Sequence, residues 1–188
     1  MNTAHKKSLA LGALLILLMA ATRSHHFDSL THLPDASLAV FLLAGFYLPP
    51  FAFPALLVVA GLADYFALNY AGISDWCFSP AYWFLIPTYA VLFYAGRFYA
   101  TQHSRTWRGL GLFTLIACVA TSAAFVISNI TFYEFSGRYT GTDVVQYAGN
   151  IARYYLPYLT SALMYLVPAV LLHALLTHHD NARHPAVQ

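Results

Sequence analysis

The segment DWCFSPAY, residues 75–82, is a short polar break between two long apolar runs, residues 51–70 and 81–100. A membrane-spanning helix needs about 20 apolar residues, because it rises about 1.5 Å per residue across a hydrocarbon core of about 30 Å. The pattern therefore predicts two membrane helices joined by a loop. That loop places one cysteine, Cys77, among aromatic residues.

The composition extends this interpretation to the whole chain. Of its 188 residues, 60% are hydrophobic and 9% are charged, whereas ordinary globular domains carry about 25% charged residues. Such a deficit predicts that most of the surface faces lipid. The net charge of +2 is too small to indicate nucleic acid as a partner. No hydrophilic stretch is long enough to fold alone, so we expect one domain, residues 1–188.

Six apolar runs predict an all-α integral membrane bundle of six transmembrane helices, with five as the alternative count. They cover about residues 8–22, 36–48, 51–70, 81–100, 109–132 and 153–177. The first two are short, so we expect them to be tilted, buried or partly irregular. Asp35 is expected to cap the second helix, Pro49-Pro50 to form a tight turn, and residues 133–152 to form a polar segment.

The first run also fits a secretory signal peptide, with two lysines before it and Ala20-Ala21 at its end. We favour a retained helix, because its removal would leave an odd number of spans. It would also upset the asymmetry of positive charge between the two faces, which predicts the orientation.

Lysine and arginine favour cytoplasmic loops. With six spans and the N-terminus inside, the inner segments hold Lys6, Lys7, Arg97, Arg105, Arg108 and Arg183, and the outer segments hold Arg23, Arg138 and Arg153. The excess of lysine and arginine in the inner segments, six residues against three in the outer segments, predicts that both termini are cytoplasmic. The Cys77 loop and the other polar loops then lie on the outer face.

Cys77 is the first candidate for chemistry. The other cysteine, Cys118, falls inside the fifth apolar run, which makes a disulfide between them geometrically unfavourable. A free outward-facing thiol fits a reactive or ligating role, and a small buried apolar residue is the alternative, about equally favoured.

Asp64 is the second candidate, because a carboxylate inside a membrane span is costly and normally faces a cavity or a partner. It lies about 20 Å along the third run, in its outer half. Arg153 is the first candidate partner and Arg23 the second. An ion pair that only fixes helix packing explains Asp64 equally well.

The outer ends are rich in tyrosine and tryptophan, which an interfacial aromatic belt explains but which an apolar site with a few polar groups would also produce. The histidines at 25, 26 and 32 match no standard metal-ligand spacing.

Several segments together resemble the BtuM family of bacterial cobalamin transporters, which are similar to substrate-binding S-components of energy-coupling-factor transporters. They are Arg23, HHF (25–27), LPDASLAVF (33–41), Gly45, GLAD (61–64) and SDWCFSPAY (74–82). The resemblance covers the first half of the chain. In the second half it extends only to the predicted layout of six spans.

This resemblance implies cobalamin uptake across the bacterial inner membrane, with the corrinoid bound in a pocket open to the outer face. It implies that the Cys77 thiolate ligates cobalt and promotes decyanation of cyanocobalamin by taking the position of cyanide. Asp64, Tyr82 and Arg153 are then expected to line the pocket and bond the corrin amides, with His25 as a weaker candidate.

Other interpretations stay open. The Ala-x-x-x-Ala motif, through which S-components often contact a coupling subunit, is absent from the first run, so a solitary transporter and one that uses an energising module are both retained. A membrane thiol enzyme or redox sensor that uses Cys77 with His25 or His26 is the alternative function. A structural subunit without a small ligand is the third.

Overall fold

The computed structural model describes residues 3–23, 33–70, 78–104 and 106–183. Within these ranges the chain forms seven α-helices and one 3-10 helix and contains no strand, which confirms the all-α fold class. The helices are α1 (Thr3–Arg23), α2 (Ser37–Tyr47), α3 (Ala52–Tyr70), the 3-10 helix (Pro80–Phe84), α4 (Leu85–Gln102), α5 (Trp107–Phe135), α6 (Val144–Ala152) and α7 (Tyr155–Arg183).

Three of the described helices are long and apolar enough to cross a membrane. They are α3, α5 and the part of α7 from Tyr155 to Leu175. The apolar part of α1, Ser8–Arg23, and all of α2 are shorter. These helices give the chain the character of a membrane protein, while the count of six spans stays a prediction.

Helix α2 lies in the core of the bundle. Nine of its eleven residues are buried, and it is about 16 Å long, roughly half the thickness of the hydrocarbon core. The expectation that the short second run is buried is therefore confirmed. A Cβ atom added to Gly45 of α2 would lie 1.9 Å from the carbonyl oxygen of Phe93, so the backbones of α2 and α4 are in contact there.

The predicted helix 81–100 is divided in the structure. A 3-10 helix covers Pro80–Phe84, and α4 begins only at Leu85. Pro87 has no backbone N–H, so it cannot bond to the carbonyl of Trp83 as a continuous α-helix would require. This division positions Tyr82 on a separate short element ahead of α4.

Helix α6 was not expected within the polar segment 133–152. It begins after Asp143, whose carboxylate accepts hydrogen bonds from the backbone N–H groups of Val145 and Gln146, at 2.9 and 3.2 Å. Two glycines with positive φ, Gly137 and Gly141, reverse the chain between α5 and α6. An aspartate cap therefore starts a helix where composition alone indicated a loop.

The proline turn after α2 agrees with the sequence, but the expected cap does not: the N-cap residue is Ala36, which makes no side-chain capping bond, and Asp35 lies one residue before it. Asp35 accepts hydrogen bonds from the backbone N–H and the hydroxyl of Ser37, at 2.9 and 2.7 Å. The backbone N–H of Ala52 bonds to the carbonyl of Pro49 at 2.9 Å and closes the proline turn before α3.

Candidate functional site

The side chain of Arg23, at the end of α1, is the centre of a buried polar cluster. It is only 2% exposed. Its Nε and Nη2 donate to the two carboxylate oxygens of Asp64 at 2.7 and 2.8 Å. Its Nη1 donates to Ser37 Oγ at 2.8 Å and to the phenol oxygen of Tyr89 at 2.7 Å. One guanidinium thus joins the ends of α1, α2, α3 and α4.

Asp64 is the main acceptor of this cluster. In addition to Arg23 it accepts a hydrogen bond from the Tyr82 hydroxyl, which lies 2.7 Å from Oδ2. A second carboxylate, Asp35, lies at the edge of the cluster, 4.0 Å from Arg23 Nη1. The fork-to-fork geometry of the Arg23–Asp64 pair is the strongest arrangement available to a guanidinium and a carboxylate.

Helical periodicity brings the two charged groups together. On α3, the buried residues Leu56 and Ala60 precede Asp64 at intervals of four, so the carboxylate continues the core face. On α1, the buried residues Leu15 and Met19 precede Arg23 at the same interval. Both charges therefore point into the bundle rather than into lipid.

A cavity of about 590 Å³ adjoins this cluster, within the range of roughly 300–1,000 Å³ that small-molecule sites occupy. Of the nineteen described residues that line it, nine are aromatic. The lining consists of Arg23, Asp64, Ala67, Leu68, Phe78, Ala81, Tyr82, Phe84, Leu85, Phe125, Ser128, Asn129, Thr131, Phe132, Tyr139, Tyr147, Ile151, Tyr154 and Tyr158. These residues suit a large, mostly apolar ligand that also carries polar groups.

A second group of polar residues in the lining comes from α5 and α6. Ser128 and Asn129 lie on α5, and Tyr147 is the one buried residue of α6. The Tyr147 hydroxyl donates to the backbone carbonyl of Asn129 at 3.0 Å, and its ring lies 4.8 and 4.6 Å from the rings of Tyr133 and Tyr139. Burial raises the pKa of Tyr147 to about 12, so this phenol stays protonated and attaches α6 to α5 at neutral pH.

The other end of the bundle is closely packed. Aromatic and histidine rings from α2, α4, α5 and α7 surround a space of only about 60 Å³. The hydroxyl of Tyr47 is hydrogen-bonded to Nδ1 of His173 at 2.8 Å, and the hydroxyl of Tyr99 is hydrogen-bonded to Nδ1 of His103 at 3.2 Å. The bundle therefore offers a large cavity at the end where α1, α3 and α5 terminate, and a small one at the opposite end.

Two of the predicted site residues, Asp64 and Tyr82, lie together in the cavity lining and share a hydrogen bond. Cys77 and His25 lie outside the described residues. Phe78, which follows Cys77 in the chain, lines the cavity.

Arg153 is not the partner of Asp64, although we expected it as the first candidate. It is exposed, its Nη2 donates to the Tyr154 hydroxyl at 2.9 Å, and its guanidinium lies 4.8 Å from the centre of the Tyr154 ring. Asp64 instead pairs with Arg23, the second candidate, because α1 ends directly beside α3. Within the described ranges, Arg153 therefore meets the site through Tyr154, which lines the cavity.

Several residues of the site carried little signal in the sequence. Tyr89 and Ser37 bond to Arg23, and Ser128 and Asn129 line the cavity from α5. Tyr89 is one of fourteen tyrosines, and small polar residues in a span often bond within their own helix. Asn129 was the better candidate, since a carboxamide in an apolar run needs a partner.

Among the described residues, no group of three or more histidine, cysteine, aspartate or glutamate side chains could hold a metal ion. The described part of the cavity therefore offers hydrogen bonds and aromatic surface. No protein-family model matches the chain, and a search of curated proteins returned no match.

Proposed function

We propose that this chain is a membrane protein that takes up cobalamin or a related corrinoid from the outer face of a bacterial inner membrane. The observation that supports this proposal best is the aromatic cavity of about 590 Å³ beside the Arg23–Asp64–Tyr82 cluster. All three residues fall in the segments that resemble the cobalamin transporters, and the cavity also includes Phe78 of the Cys77 loop. A ring system with polar side groups matches an aromatic lining with a few polar positions.

The proposed topology has six spans and both termini in the cytoplasm. Helix α4 is the proposed fourth span, and its Arg97 lies toward the packed end, where Nη1 donates to the carbonyl of Leu48 at 3.1 Å. Helices α1 and α2 complete the bundle, with α2 enclosed by its neighbours. In this orientation the large cavity faces outward and the packed end faces the cytoplasm.

The proposed role of Cys77 is to ligate the cobalt of the bound corrinoid through its thiolate, a soft donor. With cyanocobalamin, sulfur would replace cyanide as the axial ligand and cyanide would leave. Asp64 and Tyr82 would contact the corrin periphery, and Arg153 and, as a weaker candidate, His25 are kept as proposed contacts. Uptake by the chain alone and uptake with an energising module are both compatible with this role.

Thiol labelling tests the proposal. In a Cys118→Ala background, a membrane-impermeant maleimide added from the outer face should label Cys77 in the absence of ligand. Saturating cyanocobalamin should slow this labelling at least about tenfold, because a thiol bonded to cobalt is not available to react. The same rate with and without cyanocobalamin would refute the proposal and would favour the alternative thiol enzyme.

A matched control uses Thr140→Cys in a chain that lacks both native cysteines. Thr140 is exposed in the turn between α5 and α6 and does not line the cavity. Its labelling rate should not respond to cyanocobalamin. A similar slowing at both positions would indicate a general effect on the membrane rather than occupation of the cavity.

A further inference from the structure

Four hydroxyl groups in the cavity lining already donate their protons within the protein. One proton goes to the carboxylate of Asp64 and three go to backbone carbonyls of α5. The four donors are Tyr82 at 2.7 Å, Ser128 at 3.0 Å, Thr131 at 2.8 Å and Tyr147 at 3.0 Å from their acceptors. A hydroxyl has one proton and two lone pairs, so while these bonds are kept each of these groups can only accept a further hydrogen bond. Ser128 is also hydrogen-bonded to the Tyr158 side chain.

The strongest donor in the described lining, the guanidinium of Arg23, is largely committed, with four of its five N–H groups bonded. Four N–H groups of Arg23 bond to Asp64, Ser37 and Tyr89, and the bidentate pair with Asp64 offsets its charge. The carboxamide of Asn129 uses one N–H on the backbone carbonyl of Phe125 at 2.9 Å. A carboxylate beside these groups would therefore find the charge of Arg23 already offset and four hydroxyls whose protons are committed. Elsewhere in the described lining the Tyr154 hydroxyl, which accepts from Arg153 at 2.9 Å, keeps its own proton as a donor.

We propose that this acceptor-rich part of the lining favours ligands whose periphery carries N–H donors over the same ligands with carboxylates in place of those donors. The inference rests on the proposed corrinoid function and extends it to specificity. It assigns Ser128, Thr131, Tyr147 and Asp64 as residues that accept hydrogen bonds from peripheral amides of the corrinoid. A carboxylate has no proton at neutral pH, and it would bring a negative charge toward Asp64.

The test compares two corrinoids on the purified full-length chain in lipid nanodiscs at neutral pH. Cobinamide carries peripheral amides, and cobyrinic acid carries carboxylates in their place. Equilibrium dialysis should give a dissociation constant for cobinamide at least about tenfold lower, which corresponds to about 1.4 kcal/mol, because a carboxylate has no proton to donate to the acceptors of the lining.

Two variants show whether the lining causes this discrimination. Asn129→Lys introduces a donor and a positive charge among the acceptors, and Asp64→Asn removes the negative charge. Each should reduce the preference for cobinamide at least threefold, mainly by tighter binding of cobyrinic acid. The second variant gives an independent result if the first does not fold.

The outcomes separate this inference from the proposed function. Equal affinity of wild type for both corrinoids would overturn the selectivity alone. A preference that both variants retain in full would overturn the assignment to the lining. Failure of both corrinoids to bind would overturn the proposed function and this inference with it.

Discussion

Replacing Asp64 with alanine should destabilise the fold more than replacing any exposed acidic residue. The change removes the carboxylate that accepts two charge-assisted bonds from Arg23 at 2.7 and 2.8 Å and a third from Tyr82 at 2.7 Å. Because Arg23 is 2% exposed, its guanidinium has little access to water apart from the adjoining cavity.

The expected loss in the free energy of unfolding is about 3–5 kcal/mol, which is typical when one partner of a buried ion pair is removed. The milder change Tyr82→Phe removes one bond to the carboxylate and should cost about 1.5–3 kcal/mol.

The assay is equilibrium unfolding of purified protein in mixed micelles, followed by far-ultraviolet circular dichroism. Glu134→Ala is the matched control, because Glu134 is an exposed carboxylate on α5, and it should change stability by no more than about 0.5 kcal/mol. The double variant Arg23→Leu/Asp64→Ala should recover much of the loss, since it leaves no buried charge without its partner. The reasoning fails if Asp64→Ala costs less than about 1 kcal/mol, or if the double variant is no more stable than the single one.

Two further predictions concern packing and pH. Gly45→Ala should cost about 1–3 kcal/mol of unfolding free energy, because the new methyl group would lie 1.9 Å from a carbonyl oxygen of α4. Gly61→Ala, whose Cβ meets no atom within 4 Å, should stay within about 0.5 kcal/mol of wild type, and equal effects of the two changes would argue against close contact of α2 and α4. Burial raises the pKa of Tyr147 in the folded protein to about 12, whereas a tyrosine in the unfolded chain ionises near its ordinary pKa of about 10. The contribution of Tyr147 to stability is therefore complete below about pH 10 and is lost as the pH rises toward about 12. The difference in stability between wild type and Tyr147→Phe should shrink over that interval in alkaline unfolding experiments, and a constant difference would contradict the assignment.

The helical runs and the half-buried carboxylate could be predicted from the sequence because each depends on local pattern. Apolar length indicated most of the helices, and the spacing of Leu56, Ala60 and Asp64 places the carboxylate on the core face. The proline turn after α2 follows from the chemistry of two residues, Pro49 and Pro50. These features need no knowledge of which helices are neighbours.

The partner of Asp64 could not be decided in the same way. Arg23 and Arg153 both flank apolar runs near the same face of the bundle, and only the packing of α1 against α3 selects Arg23. The division before α4 was predictable in principle, since Pro87 removes a backbone donor. Helix α6 was hidden because its nine residues lie in a polar segment and depend on the Asp143 cap.

The visible absorption spectrum of the purified chain with cyanocobalamin tests the central claim most directly. Wild type should bind the corrinoid, and its bands should shift as the sulfur of Cys77 replaces cyanide on cobalt. The Cys77→Ala variant should give bands like those of free cyanocobalamin. Unshifted bands in wild type, or the same shift in both proteins, would contradict the account.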